Sequence, residues 1–278
     1  MKMIFNPATS IGLILVSALL IVSCNFGGSS RDRSQQQSAE TLDRERVEQD
    51  VREFVYPLPT TFEVTEMLNR IGAAYILTLS NPPSNVDRYL TEKSKAINLG
   101  IYSADLSYAS TYNQKQETID YMEVSKTLID ALNISGAVSA DIIEQVEEKQ
   151  DDKDELIKLI TNTFYDTYEH LNQNNRGEIS MLVLAGSWVE ALYIATHISE
   201  DTFNNKEMVK IVMDQKSSLN KLMELMSVFK DNRAVSEVID QLTPIHNIYN
   251  SIDDGSITER QMNAIIKEIN EVRTQMVS

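Results

Sequence analysis

From residue 61 to the C-terminus, residues that break helices are scarce. The whole chain of 278 residues has nine glycines and six prolines. Between the breaks, apolar residues recur at three- and four-residue steps, and no run alternates apolar and polar as a half-buried strand does. A chain patterned this way folds by packing helices on helices. The spacing predicts nine helices, over 62–79, 84–112, 115–133, 139–149, 152–173, 177–198, 204–230, 232–249 and 257–276. Pro82-Pro83, Gly136, Gly177, Pro244 and Gly255 read as joints, and Ser139, Ser199 and Thr258 are N-cap types. The expected fold is an all-α multi-helix bundle.

Two stretches suggest an internal duplication. LGIYSADLSYAS at 99–110 and AGSWVEALYIAT at 185–196 pair Gly100 with Gly186, Tyr102 with Trp188, Leu106 with Leu192 and Ala109 with Ala195. ADIIEQV at 140–146 resembles SEVIDQL at 236–242. One reading is two similar four-helix units, 84–173 and 177–276, behind an extra N-terminal helix. The other is that amphipathic helices share one apolar period and match by chance. Small residues such as Gly100, Ala104, Gly186 and Ala191 allow close helix approach, so 84–112 and 177–198 are the expected central pair. The second of these is apolar on nearly every face but carries Glu190, which argues against a membrane span.

The N-terminus carries an address. Lys2 precedes an uncharged apolar run from Ile11 to Val22, too short for a bilayer core that needs about 20 residues. It stops at Ile21-Val22-Ser23-Cys24, which resembles the bacterial lipoprotein box. That resemblance implies removal of 1–23 and acylation of Cys24, the only cysteine in the chain. Several acyl chains, at ~0.8 kcal/mol per buried methylene, would anchor the protein firmly. Residues 25–38, NFGGSSRDRSQQQS, have the composition of a tether, and the lipidated cysteine and tether together span 24–50. Val47, Val51, Phe54 and Val55 suggest a short docking helix, and YPLP at 56–59 a rigid corner. The helical domain spans 51–278.

The formal charge of −16 opposes binding to phosphate backbones, so nucleic acid is not an expected partner. None of His170, His197 and His246 has Glu three residues earlier, and HExxH is missing. Nor is there a GxGxxG, a GxxxxGK[ST] or a GxSxG. No cofactor, metal or catalytic residue is therefore expected. The acidic run QVEEKQDDKDE at 145–155 lacks EF-hand spacing and reads as a solvated joint. One constellation remains. Glu190, Tyr193 and His197 share a helix face, as do Asp105, Tyr108 and Tyr112. A carboxylate inside an apolar helix needs a partner: a hydroxyl, a base or a ligand. If both faces met at one cleft, it would be acidic and aromatic, suited to a small cationic or polyhydroxyl ligand. These triplets are offset by 85 residues, the glycine pair by 86, so one ancestral alignment cannot explain both.

The stretches LSNPPSNVDRYLTEKSKAINLGIYSADLSYASTYN, 79–113, and SMLVLAGSWVEALYIAT, 180–196, resemble a group of helical lipoproteins of Bacteroidota. The resemblance implies a lipid-anchored helical protein in a Gram-negative envelope and supplies no catalytic residue. Asn25-Phe26-Gly27-Gly28 follows the cysteine in place of the acidic run common on surface-exported members, which points to the periplasmic face of the outer membrane. The expected function is a non-enzymatic binding or interaction module, attached by its lipid and serving an envelope protein partner. The competing expectation is an enzyme or ligand-binding protein using Asp105, Tyr108, Tyr112, Glu190, Tyr193 and His197.

Overall fold

The computed structural model describes residues 61–199, 202–252 and 256–278. The signal, Cys24, the tether, the docking helix, the YPLP corner and the Gly255 joint lie outside the described residues. Among the described residues there are nine α-helices and no strand, so the chain is an all-α multi-helix bundle. They are α1 Thr61–Arg70, α2 Glu92–Thr111, α3 Lys115–Ala131, α4 Ile142–Lys149, α5 Lys153–Gln173, α6 Gly177–His197, α7 Lys206–Ser227, α8 Arg233–Asn250 and α9 Glu259–Met276. Short 3-10 turns occupy Leu77–Leu79, Pro83–Arg88 and Ser135–Ala137.

Two expected helices are shorter than their apolar period. The 62–79 run ends at Arg70, because Gly72 takes a left-handed φ of 79° and the Ala73 N–H bonds back to the Leu68 carbonyl. The 84–112 run starts at Glu92, where the Thr91 and Ser94 side chains each accept the other's backbone N–H. Residues 73–91 between them form an irregular strap. Asparagine closes three more helices: Asn113, Asn133 and Asn175 are left-handed, and the next residue's N–H reaches the carbonyl five back. The starts are fixed by Asp152, Asn205, Asn232 and Thr258, each accepting a first-turn N–H. Ser139 and Ser199 are not at cap positions. Pro244 is no joint either; α8 runs through it, leaving the Asp240 carbonyl without its helical donor.

The core is organised around α2 and α6, which pack on each other along their length. α6 is buried without a break from Ile179 to Leu192. It is the one helix among the described residues long and apolar enough to cross a membrane, and here it is the central helix of the bundle. Two glycines set the crossing. A Cβ on Gly100 would sit 1.9 Å from the Val183 carbonyl oxygen, and one on Gly186 2.0 Å from that of Ile97. The contact is reciprocal: Ile97 and Val183 are separated by the same number of residues as the two glycines. Each half also follows one cycle of contacts. α2 packs on α3, α3 on α4, α4 on α5 and α5 returns to α2; α6 through α9 repeat the cycle. α1 lies across α2, α6 and α7.

Candidate functional site

The singled-out residues meet under the strap. Asp105, Tyr108 and Glu190 have no exposed surface. Tyr112, Tyr193 and His197 are half-buried at the edge. The partner that Glu190 needs comes from α9: Arg273 donates Nε to Oε2 and Nη2 to Oε1, both at 2.8 Å. This bidentate, charge-assisted geometry suits a buried carboxylate. The guanidinium lies 4.2 Å from the Tyr193 ring centroid, on which His197 stacks at 4.2 Å.

The other triplet holds the strap. An irregular segment has no ladder of its own, so side chains must satisfy its backbone groups. The Ile76 N–H donates to the Tyr108 hydroxyl at 2.8 Å. The Asn81 N–H donates to Asp105 Oδ2 at 3.0 Å. Arg273 Nη2 also donates to the Leu79 carbonyl, and the Tyr102 hydroxyl to that of Pro82. The Asn81 side chain donates to the Tyr89 hydroxyl at 2.8 Å and receives the Asn85 amide. Tyr75 from the strap packs on Tyr108 and Tyr112, its ring centroid 4.6 Å and 5.7 Å from theirs.

Burial first, then the negative charge of Glu190, pushes the Asp105 carboxyl well above the usual carboxylate range; Arg273 and the Asn81 amide oppose this less strongly. Burial holds His197 below the usual imidazole range, partly countered by its bond to the Tyr193 carbonyl. The faces therefore converge, but the expected acidic and aromatic cleft is a packed interior: Glu190 pairs with Arg273, and Tyr108 and Asp105 Oδ2 hold the strap, while Asp105 Oδ1 and the Tyr75 and Tyr112 hydroxyls are buried without a hydrogen-bond partner among the described residues. Sequence reasoning missed Arg273, Asn81 and Tyr75. Arg273, in the last turn of α9 beside buried Val272 and Met276, was the available signal.

An accessible concavity lies elsewhere. α1, α2, α3, α5, α6 and α7 enclose a partly open cavity of about 90 Å³. On α2 it is lined by Leu99, Ser103, Leu106 and Ser107, on the side opposite Asp105 by helical rotation. Among the described residues, no Asp, Glu, Lys, Arg or His lines it. Its walls are aliphatic and aromatic, with Phe62, Met122, Ile160, Phe164 and Trp188 among them, interspersed with hydroxyls. Most of those hydroxyls with a clear partner spend their proton on their own helix. Ser103, Ser107, Thr163 and Thr167 each donate to the carbonyl four residues back. Thr61 and Ser187 bond to each other at 2.9 Å.

No three His, Cys, Asp or Glu side chains among the described residues are grouped as a metal ion would need. The acidic run at 145–155 is the α4–α5 joint, where Asp151 pairs with Lys115 and Glu155 with Lys149. The chain matches no family model, and neither a curated protein nor a solved structure shows significant similarity to it.

Proposed function

We propose that the chain is a lipid-anchored protein of the cell envelope whose helical body binds rather than catalyses. The anchor is Cys24, read from the Ile-Val-Ser-Cys stop after an uncharged apolar run. The resemblance to Bacteroidota lipoproteins favours the outer membrane, with the body in the periplasm on its tether. The observation that carries the binding reading is a segregation of chemistry. Asp105, Tyr108 and Glu190 are sealed and bonded to the strap or to Arg273, whereas no ionisable group among the described residues lines the cavity. General acid–base and assisted nucleophilic catalysis need such a group within hydrogen-bond reach of the reacting atoms. An envelope protein docking on the acidic exterior fits the same reading.

Mass spectrometry of the protein recovered from host membranes tests the anchor. The expected N-terminus is Cys24 carrying acyl chains, with Cys24→Ser shifting the protein out of the lipidated fraction. An unmodified N-terminus, or retention of residues 1–23, contradicts it.

A further inference from the structure

We propose that the cavity enclosed by α1, α2, α3, α5, α6 and α7 binds a small, uncharged apolar molecule: a compact hydrocarbon body, of the size a partly open cavity of about 90 Å³ admits, with one un-ionised acceptor oxygen. The inference deepens the binding-module reading and rests on it, but is independent of the anchor.

Charge exclusion comes first. The chain carries −16, yet among the described residues none of that charge, and no compensating base, reaches the cavity wall. A carboxylate, sulfate or ammonium entering it would lose hydration with no counter-charge, at a cost of several kcal/mol. A hydrocarbon body gains from the same transfer, at roughly 25 cal/mol per Å² of apolar surface covered.

The few uncommitted polar atoms then specify the head. The hydroxyls of Ser103, Ser107, Thr163 and Thr167 are spent on helix carbonyls, so their part of the wall behaves as nearly apolar. Trp188 Nε1 and Ser125 Oγ are different. Trp188 is 8 % exposed and Ser125 4 %, both line the cavity, and neither polar atom finds a hydrogen-bond partner within the protein. A buried donor left unmet costs about 1–3 kcal/mol. Indole N–H can only donate, so the group that satisfies it must be an acceptor: an ester or ketone carbonyl, an ether or a hydroxyl. A ligand with one such oxygen on an apolar body removes that cost as it binds.

The half-buried side chains Thr61, Ser103, Thr161, Thr163 and Phe164 form the less covered part of the wall, on α1, α2 and α5. A small apolar molecule would enter past them. Ser187, bonded to Thr61, lies on α6 toward the start of α1.

The chain carries its own reporter, because Trp188 is its only tryptophan. Bromine quenches indole fluorescence on contact. The full chain, made unlipidated by cell-free translation, would be titrated with 6-bromohexanol and with the matching 6-bromohexyl sulfate, an anion at every pH. The expected result is saturable quenching by the neutral alcohol, with the sulfate at least tenfold weaker and the neutral affinity unchanged between pH 5 and 8. Thr161→Phe should narrow the entry and weaken neutral binding at least tenfold. Ser103→Leu, a milder change across the same opening, serves if the first variant fails to fold, and should weaken binding measurably. Absence of saturable quenching by the neutral alcohol overturns the proposal. So does equal affinity for the sulfate, or neutral binding unaffected in folded variants at both positions. A different ligand that stabilises the protein while these probes fail would overturn the ligand class and leave the binding-module reading standing.

Discussion

Asp105 is the residue on which the two readings of this chain divide. As a site residue it should face solvent and a ligand; here it is sealed and accepts the Asn81 N–H of the strap. Its folded-state pKa is raised by burial and by Glu190, so the folded state holds this proton more tightly than the unfolded chain does. Stability from this group is fully present below the ordinary Asp value of about 3.9 and is lost as pH rises through the folded value. Asp105→Asn keeps an acceptor for Asn81 and has no proton to lose. Urea unfolding should show the variant gaining on the parent protein as pH rises from 4 to 8. A parent that gains on Asp105→Asn over that range would contradict the assignment. The spacing of the two triplets placed these residues on two helix faces, and so their convergence could be anticipated. Their sealing could not, because it depends on Asn81 and Tyr75 in an irregular strap and on Arg273, which lies 83 residues from Glu190.

At the level of elements, the periodic pattern identified every α-helix among the described residues, but not where the first ends or where the second starts. Apolar residues continue past Gly72 through Ile76, Leu77 and Leu79, so the period looks helical although the backbone has turned. Those residues serve the strap instead: Leu79 is buried, while Leu77 is 52 % exposed. Small-residue spacing did point to the central pair, because a glycine in mid-helix loses about 1 kcal/mol against alanine unless packing needs it. At Gly100 and Gly186 packing needs it. Gly100→Ala places a methyl against the Val183 carbonyl and the Ser187 amide of α6, backbone that cannot swing aside. The loss of stability should be about 2 kcal/mol or more, despite the better helix propensity of alanine. Thermal unfolding of Gly100→Ala and Gly186→Ala measures it, and the reciprocal geometry predicts similar losses. An unchanged or raised Tm in either would mean that α2 and α6 are farther apart than described.

For the whole molecule, the helices divide polar from apolar work between two regions. Around one side of α2, Asp105, Tyr108 and Tyr102 hold the strap with Arg273; on the other, Ser103, Ser107 and Leu106 line a cavity free of charge. The cavity was not legible in the sequence because its wall draws a few positions from each of six helices, and Ser or Thr among apolar residues signals nothing alone. The central claim is that ligands are taken up in the cavity while the buried polar cluster is structural. The most direct measurement is a thermal-shift screen of neutral, cationic and polyhydroxyl small molecules on the parent chain and on Asp105→Asn. Neutral apolar compounds should raise Tm, and by the same increment in both proteins, because binding to the folded state adds to stability without involving Asp105. A cationic or polyhydroxyl compound whose stabilising effect disappears in Asp105→Asn would contradict the account and return function to the polar cluster.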